Sequence, residues 1–275
     1  MNDLLPACFA NFPESTFAIV STYLSPYEDA GNLMRRFTGG VVIREHRGNI
    51  ILENGRVAGI DGNPNIIVIS RGILSHVVWT NAENVIDRTD GPAVVMYDEF
   101  CNIILQAWIR QGFIGGASND FPDVILQGKN SMQKSWHGRS AVSLEDTEDS
   151  SLVDIPPHRV NAPATIECDF KGNVINEIWY HLGEVHNPQG PAKIEYFGNG
   201  VVKSEKWYRN GKPFRANRRP ARISYYESGE VFTEERFRNG VSVSMRYFNK
   251  EGVMIHYSYY DPDSAGSEIN QPEDE

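Results

Sequence analysis

Apolar and polar residues alternate with a period of two over short stretches of this chain, and turn-forming residues separate the stretches. In the segment 190–211, Ala192, Ile194 and Tyr196 fall on one face of an extended chain, which is the pattern of a half-buried β-strand. Turn formers at 198–200 divide this stretch from a second alternating one. The pattern therefore predicts a β-hairpin.

The hairpin pattern recurs along the chain. Four segments align without gaps over 22 positions: 91–112, 162–183, 190–211 and 219–240. Pro-Ala stands at positions 2 and 3 of all four, and glycine stands at position 22. Position 18 holds Trp in three segments and Arg in the fourth: Trp108, Trp179, Trp207 and Arg236. Weaker copies lie at 40–60, 64–79, 122–136 and 245–260. Self-similarity at a period of about 28 residues is the signature of a repeat protein.

The repeat predicts a mainly β fold, namely an elongated, twisted antiparallel sheet of tandem β-hairpins that spans 37–260. Each second strand is expected to run to the glycine at position 22, which makes the return turn through a positive φ. Because a single hairpin is marginal in water, stacked repeats are expected to bury a continuous apolar stripe. Tyr or Cys at position 7 and Trp at position 18 are expected to form ladders. Open edges at the ends of the sheet allow self-association.

Three segments depart from the repeat. The insertion at about 138–157 is acidic, rich in serine and ends in prolines, which predicts an exposed loop. The tail 261–275 carries six acidic residues and no base, so it predicts a disordered, solubilising end, with binding to a basic partner as the alternative. Residues 1–36 show apolar residues at helical spacing, which predicts a short helical cap over the first hairpin.

The sequence around the tryptophans and prolines resembles the MORN-like repeat family, in its variant with the pattern W-Y-x-N-G-x-x-x-R-x-x-G-P-A. The matching residues are WYRNG at 207–211, RTDGPA at 88–93 and HRVNAPA at 158–164. Proteins of this type are abundant in large nucleocytoplasmic DNA viruses, notably the marseillevirus group, and occur in some bacteria. The resemblance covers about residues 60–240. It implies a twisted hairpin array that binds proteins or membrane surfaces, and it does not imply catalysis.

The N-terminal segment resembles a short F-box. The residues that carry this likeness include Pro13, Tyr23, Leu24 and Pro26. An F-box implies docking onto the adaptor subunit of a cullin-type ubiquitin ligase, so these four residues become candidate partner contacts. The helical cap remains the alternative interpretation.

Composition narrows the partners and the location. A formal net charge of -10 and a pI near 5.2 disfavour nucleic acid as a direct partner, because the chain repels phosphate groups. No apolar run approaches 18 residues, and the first residues lack the pattern of a signal peptide, so neither a transmembrane helix nor secretion is expected. Cys8, Cys101 and Cys168 are far apart and odd in number, which favours a reducing compartment. The expected location is a virion or the host cytoplasm.

The chain contains no P-loop, G-x-S-x-G, H-E-x-x-H or C-x-x-C motif, so no catalytic residue, cofactor or metal is predicted. The most metal-like set is Cys168, His181 and His186, whose C-x12-H-x4-H spacing copies half of a zinc finger. Because Cys168 takes the Tyr position of its repeat, a buried structural thiol is the favoured interpretation.

Acidic residues also recur with the repeat. Position 16 holds Glu177, Glu205 and Glu234. Such a row is typical of a solvated face or of pairing with bases, here Lys203 and Arg236.

The predicted function is therefore interaction without catalysis. The most specific form of this prediction is a structural or assembly component of a large DNA virus, such as a minor capsid or other virion protein. The alternatives are an F-box-type substrate adaptor for a cullin ubiquitin ligase and a bacterial antitoxin-like interaction protein. In the array, Trp108, Trp179 and Trp207 are the candidate contacts with capsid, virion or adaptor proteins, and packing is their alternative role.

Overall fold

The computed structural model describes residues 41–46, 49–54, 66–70, 73–100, 102–115, 121–148, 152, 154–260 and 268–269. The F-box-like segment, with Pro13, Tyr23, Leu24 and Pro26, lies outside the described residues. The chain divides into two compact units, the first formed by 1–128 with 139–155 and the second by 129–138 with 156–275.

Almost all regular structure in the described residues is β. The first strands are β1 (Val41–His46), β2 (Asn49–Asn54), β3 (Ile66–Ser70), β4 (Ile73–Val78), β5 (Val94–Tyr97), β6 (Ile103–Ala107), β7 (Ile109–Arg110), β8 (Phe113–Ile114), β9 (Val124–Gln127), β10 (Ser131–Ser135), β11 (Ser140–Ala141) and β12 (Thr165–Asp169). The later strands are β13 (Val174–Ile178), β14 (Tyr180–His181), β15 (Glu184–Val185), β16 (Lys193–Tyr196), β17 (Val202–Lys206), β18 (Tyr208–Arg209), β19 (Lys212–Pro213), β20 (Arg222–Tyr225), β21 (Val231–Arg238), β22 (Val241–Phe248), β23 (Met254–Tyr260) and β24 (Glu268–Ile269). Among the described residues, the helical elements are α1 (Glu145–Glu148) and a 3-10 turn at Ala216–Arg218.

The main strands of the first unit form an antiparallel meander in the order β1-β2-β3-β4-β5-β6-β9. The buried side chains of β3, β4, β5, β6 and β9 are mostly aliphatic. The buried cluster contains Ile66, Val68, Val78, Ile86, Ala93, Val94, Met96, Leu105, Ala107, Ile109, Ile114, Val124, Val142 and Leu152. Burial of this apolar face supplies the main driving force for folding of the unit.

The second unit repeats the meander in the order β10-β12-β13-β16-β17-β20-β21-β22-β23-β24. Its buried side chains are smaller and more polar than those of the first unit, and include Ala164, Ala192, Ala221, Ser204, Ser244 and Ser258. Hydrogen bonds and ring contacts between side chains therefore contribute a larger share of the stabilising interactions in this unit.

Each hairpin of the repeat contains a β-bulge at the same place. The register shifts between positions 6 and 7, at Met96/Tyr97, Glu167/Cys168, Glu195/Tyr196 and Ser224/Tyr225. A bulge bends the strand and increases its twist, so its recurrence gives each hairpin the same shape. The mainly β, antiparallel hairpin fold predicted from the sequence is confirmed.

The predicted length of the second strand is wrong for the Trp-bearing repeats. β6, β13 and β17 each end one residue before the tryptophan. The chain then leaves the main sheet and forms a two-stranded side hairpin, in which β7 pairs with β8, β14 with β15 and β18 with β19. The proline that opens the next repeat lies 12–14 residues after the tryptophan, and the side hairpin accommodates these residues outside the main sheet.

The insertion also differs from the exposed loop that was predicted. β11 pairs with β8 of the first unit, and α1 follows it. Val142 and Leu152 are buried in the core cluster, against which Leu144 and Ile155 also pack. Four apolar side chains inside an acidic segment bind it to the first unit, because their burial outweighs the polar character of their neighbours.

In the described part of the chain, no helix has the length and apolar character needed to cross a membrane.

Candidate functional site

Each side hairpin is joined to the main sheet through the tryptophan that precedes it. The backbone N–H of the tryptophan donates to the backbone carbonyl of position 3 in the following repeat. The pairs are Trp79–Ala93, Trp108–Asp123, Trp136–Ala164, Trp179–Ala192 and Trp207–Ala221, with N···O distances of 2.7–2.9 Å. Every such tryptophan therefore connects its own repeat with the next one.

Three of these tryptophans are covered by an arginine of the loop that follows. The guanidinium carbons of Arg88, Arg159 and Arg215 lie 4.0, 3.9 and 3.6 Å from the ring centroids of Trp79, Trp136 and Trp207. The same guanidinium groups donate to the carbonyls of Pro92, Pro163 and Pro220 at 3.1, 3.2 and 3.2 Å. We call this combination of stacking and hydrogen bonding the arginine clamp. A cation stacked on an indole contributes about 0.5–2 kcal/mol, depending on its exposure.

Among the described residues, no arginine stacks on Trp108 or Trp179. In the Trp179 repeat, Asn187 stands where the clamp arginine would be, and its Nδ2 donates to the carbonyl of Pro191 at 2.9 Å. The amide thus provides the hydrogen bond of the clamp without the stacked cation. In the Trp108 repeat, Phe121 contacts the indole edge-on, with ring centroids 5.0 Å apart.

A groove lies beside each of these two tryptophans. The groove at Trp179, in the second unit, has a volume of about 570 Å³, and its lining includes His158, Arg159, His181 and Gln189. Its described lining residues include bases, amides and aromatic rings but no carboxylate. This combination offers ring faces and N–H donors to a bound group. Aromatic side chains with a few placed polar groups are typical of binding sites.

The groove at Trp108, in the first unit, has a volume of about 350 Å³. Its lining combines Phe113 and Phe121 with Asp90, Asp123 and Arg110, so both signs of charge are present. Arg110 Nη2 donates to the carbonyl of Thr89 at 2.7 Å. Its side chain is therefore already engaged within the unit.

The histidines near Trp179 have a structural role in joining repeats. The N–H of Leu182 donates to Nδ1 of His158 at 3.4 Å, and the N–H of Asn210 donates to Nδ1 of His186 at 3.2 Å. In the first unit Asp87 accepts the equivalent bond from the N–H of Gln111 at 3.2 Å. Donor and acceptor are 24 residues apart in all three cases. Since Nδ1 accepts, Nε2 carries the proton of a neutral ring.

The Cys168, His181 and His186 spacing does not form a metal centre in the described residues, where no group of three or more His, Cys, Asp or Glu side chains is arranged to hold an ion. Cys168 is a buried free thiol in β12. The imidazole centroid of His181 lies 5.5 Å from that of His158 and 5.9 Å from that of His186. His181 lies in β14 and His186 directly follows β15 of the same side hairpin. The bond from the N–H of Leu182 to His158 holds the third ring beside them.

Two of the recurring glutamates have a partner other than the predicted bases. Tyr196 Oη donates to Glu177 Oε2 at 2.8 Å, and Tyr225 Oη donates to Glu205 Oε2 at 2.6 Å. Position 7 of one repeat thus binds position 16 of the preceding one. Burial raises the pKa of both tyrosines, and the adjacent carboxylates raise it further. The prediction that this row pairs with bases is therefore wrong for Glu177 and Glu205, which are half-buried and accept from tyrosines.

Other shifted groups lie within the sheets. Desolvation opposes ionisation of Glu195, but hydrogen bonds from Lys206, Ser204 and Lys193 lower its pKa to about 2. Burial lowers the pKa of His76 to about 4. The bonds from Lys206 and Ser204 to Glu195 join β17 to β16. Neither Glu195 nor His76 lines a groove.

The structure places the sequence-predicted contacts of the array in different settings. Trp108 and Trp179 border grooves, whereas Arg215 covers the ring of Trp207. The sequence prediction missed the clamp arginines, although the R-x-x-G-P spacing was present in the motif. It also missed Asn187, which marks the repeat where the clamp is changed.

Neither a protein-family model nor a curated protein matches the sequence. A solved structure titled "Crystal Structure of TcdB2-TccC3" aligns at 10% identity with a TM-score of 0.15, over 83% of this chain and 17% of its own. A likeness of this size carries no argument about fold or function.

Proposed function

We propose that this chain is a protein-interaction scaffold that acts without catalysis, and that the groove beside Trp179 receives a segment of a partner protein. The observation that carries the proposal is the changed clamp. In three repeats the chain's own arginine fills the place over the indole, whereas Asn187 binds the proline carbonyl and leaves a groove of about 570 Å³.

The repeat makes this difference informative. The hairpin frame and the bulge recur in the four aligned repeats, and the tryptophan hydrogen bond recurs in the three of them that carry Trp. Residues that vary on a constant frame are free to specify a partner, as in other repeat proteins. Trp179 is half-buried, and groups that cover such a ring and exclude water contribute strongly to binding.

Within this class, we propose a structural or assembly role in the particle of a large DNA virus. The support is the resemblance of the W-Y-x-N-G and R-x-x-G-P-A motifs to repeats that are abundant in such viruses. The expected location is then the virion or the cytoplasm of the host.

One experiment tests both levels. A photo-crosslinking residue replaces exposed Gln189 at the groove or, as a matched control, exposed Lys171 at a hairpin turn. Purified particles are then analysed by mass spectrometry. We expect the chain in the particles and a discrete crosslinked partner for the Gln189 position alone. Absence from particles contradicts the viral role, and equal crosslinking at both positions contradicts the groove.

A further inference from the structure

The loop after Trp207 concentrates positive charge in a chain whose net charge is -10. Residues 209–219 (RNGKPFRANRR) contain five bases and no acid. The equivalent loop at 81–91 contains one base, Arg88, with three acids, and that at 181–190 contains no Lys or Arg. The repeat therefore does not require this charge.

Only one of the five bases has a role in the arginine clamp. Arg215 stacks on Trp207 and donates to the carbonyl of Pro220. Arg209, Lys212, Arg218 and Arg219 are exposed. Among the described residues, no carboxylate lies within salt-bridge distance of these four, although Arg209 also lies over the ring of Phe214 at 5.4 Å.

The local backbone holds one of these bases, Arg218, and its neighbour Asn217 in a strained conformation. Asn217 and Arg218 both have positive φ, of 61° and 55°, a conformation that is unfavourable for a residue other than glycine. The loop is one residue longer between its clamp arginine and the next proline than the loops of Arg88 and Arg159. Strain of this kind is characteristic of functional segments. Burial lowers the pKa of Arg215, and the nearby charge of Arg219 lowers it further.

An exposed aromatic ring lies in the same loop. The side chain of Phe214 is 45% exposed. Arginine forks bind carboxylates through two parallel hydrogen bonds, and a ring among them provides an apolar contact. A single exposed ring is a small apolar area compared with the broad apolar face that holds amphipathic segments in a bilayer. These features favour a peptide over a membrane.

We propose that Arg209, Lys212, Phe214, Arg218 and Arg219 form a second interaction surface, separate from the groove at Trp179, that binds an acidic segment of a partner protein. Long polyanions such as nucleic acids are repelled by the remainder of the acidic chain. A short acidic peptide is attracted mainly by the bases of the loop, because salt screens its repulsion from acidic residues more than about 10 Å away.

The test uses a fluorescent 12-residue peptide of alternating Glu and Ser, with a Gln-Ser peptide as the uncharged control. Binding to the full chain is followed by anisotropy at 50 and 300 mM salt. One variant changes Arg209, Lys212, Arg218 and Arg219 to Gln. The matched control changes four other exposed bases to Gln: Lys171, Lys203, Arg238 and Lys250.

We expect binding of the Glu-Ser peptide that weakens with salt, and a loss of roughly tenfold or more in the loop variant, against less than about twofold in the control. Phe214→Ala is expected to weaken binding by roughly threefold. Unchanged circular dichroism spectra check that the variants fold.

Failure of the wild type to bind, or equal losses in both quadruple variants, overturns the proposal. So does tight binding to phosphatidylserine vesicles without binding to the peptide. Crosslinking at Gln189 is expected to persist in the loop variant, so the two surfaces fail or succeed independently.

Discussion

The repeat that carries Trp207 and the repeat that carries Arg236 begin alike and end differently. Both open with Pro-Ala, contain the bulge before position 7 and have an Asn-Gly turn with positive φ at both residues. In the first, β17 stops at Lys206 and the turn joins the two-residue strands β18 and β19. In the second, β21 continues to Arg238 and the same turn joins it directly to β22.

The difference shows that the turn sequence does not decide the local topology. The backbone N–H of Trp207 donates to the carbonyl of Ala221 in the following repeat. Strand β20 of that repeat therefore already occupies the place beside β17 in the sheet. Residues 237–275 contain no Pro-Ala, and Arg236 pairs with Ser244 of β22 instead. The position of the next strand-forming segment therefore determines whether Asn-Gly closes a side hairpin or a long one.

The largest expected effect comes from removing the tryptophan. Trp207→Ala removes an indole that is half-buried and stacked under Arg215, and we expect it to lower the free energy of unfolding by about 2–3 kcal/mol. Arg236→Ala at the same repeat position is expected to cost under about 1 kcal/mol, since the strand continues without it. Urea unfolding followed by circular dichroism measures both. Equal losses would show that position 18 has the same role in both repeats.

The sequence predicted what each repeat contains better than how the repeats are joined. The alternation at Ala192, Ile194 and Tyr196 was sufficient to predict hairpins, because strand periodicity is a local property. The end of β17 depends on a hydrogen bond to Ala221, fourteen residues downstream, and no local pattern encodes it. Similarly, the sequence alone does not show that Asn187 takes the place of a clamp arginine. That becomes evident only from the stacking of Arg215 on Trp207 and its equivalents.

A second prediction concerns the arginine clamp, which distinguishes the Trp207 repeat. Arg215→Met keeps an apolar chain on the ring but removes the guanidinium and its hydrogen bond to Pro220. We expect a loss of about 1–2 kcal/mol in unfolding free energy. Arg218→Met is the matched control, because Arg218 is exposed and its change is expected to stay within about 0.5 kcal/mol. A loss for Arg218→Met as large as that for Arg215→Met would contradict a stabilising role for the clamp.

The shared turn offers a finer test of the comparison. Gly211 and Gly240 have φ of +71° and +83°, and a Cβ added at either would meet no atom within 4 Å. Alanine therefore adds backbone strain alone, and we expect each substitution to cost about 1 kcal/mol. The midpoints of urea unfolding for the two variants should agree closely. A much larger loss for Gly211→Ala would show that the side hairpin depends on its turn more than the long hairpin does.

The last prediction concerns the hydrogen bond between the Trp207 repeat and the Arg236 repeat. Tyr225 Oη donates to Glu205 Oε2, and burial together with that carboxylate raises the pKa of Tyr225 above its usual value of about 10. The unfolded chain therefore loses this proton first as the pH rises. The contribution of the bond is complete below pH 10 and declines above it.

Tyr225→Phe should cost about 1 kcal/mol at pH 7, and the stability of this variant should fall less steeply than that of the wild type between pH 9 and 11. Glu205→Gln should reduce the same pH dependence, because it removes the charge that opposes ionisation, and in the double variant the two effects should not add. Parallel pH profiles for the wild type and Tyr225→Phe would show that the hydroxyl does not couple the repeats.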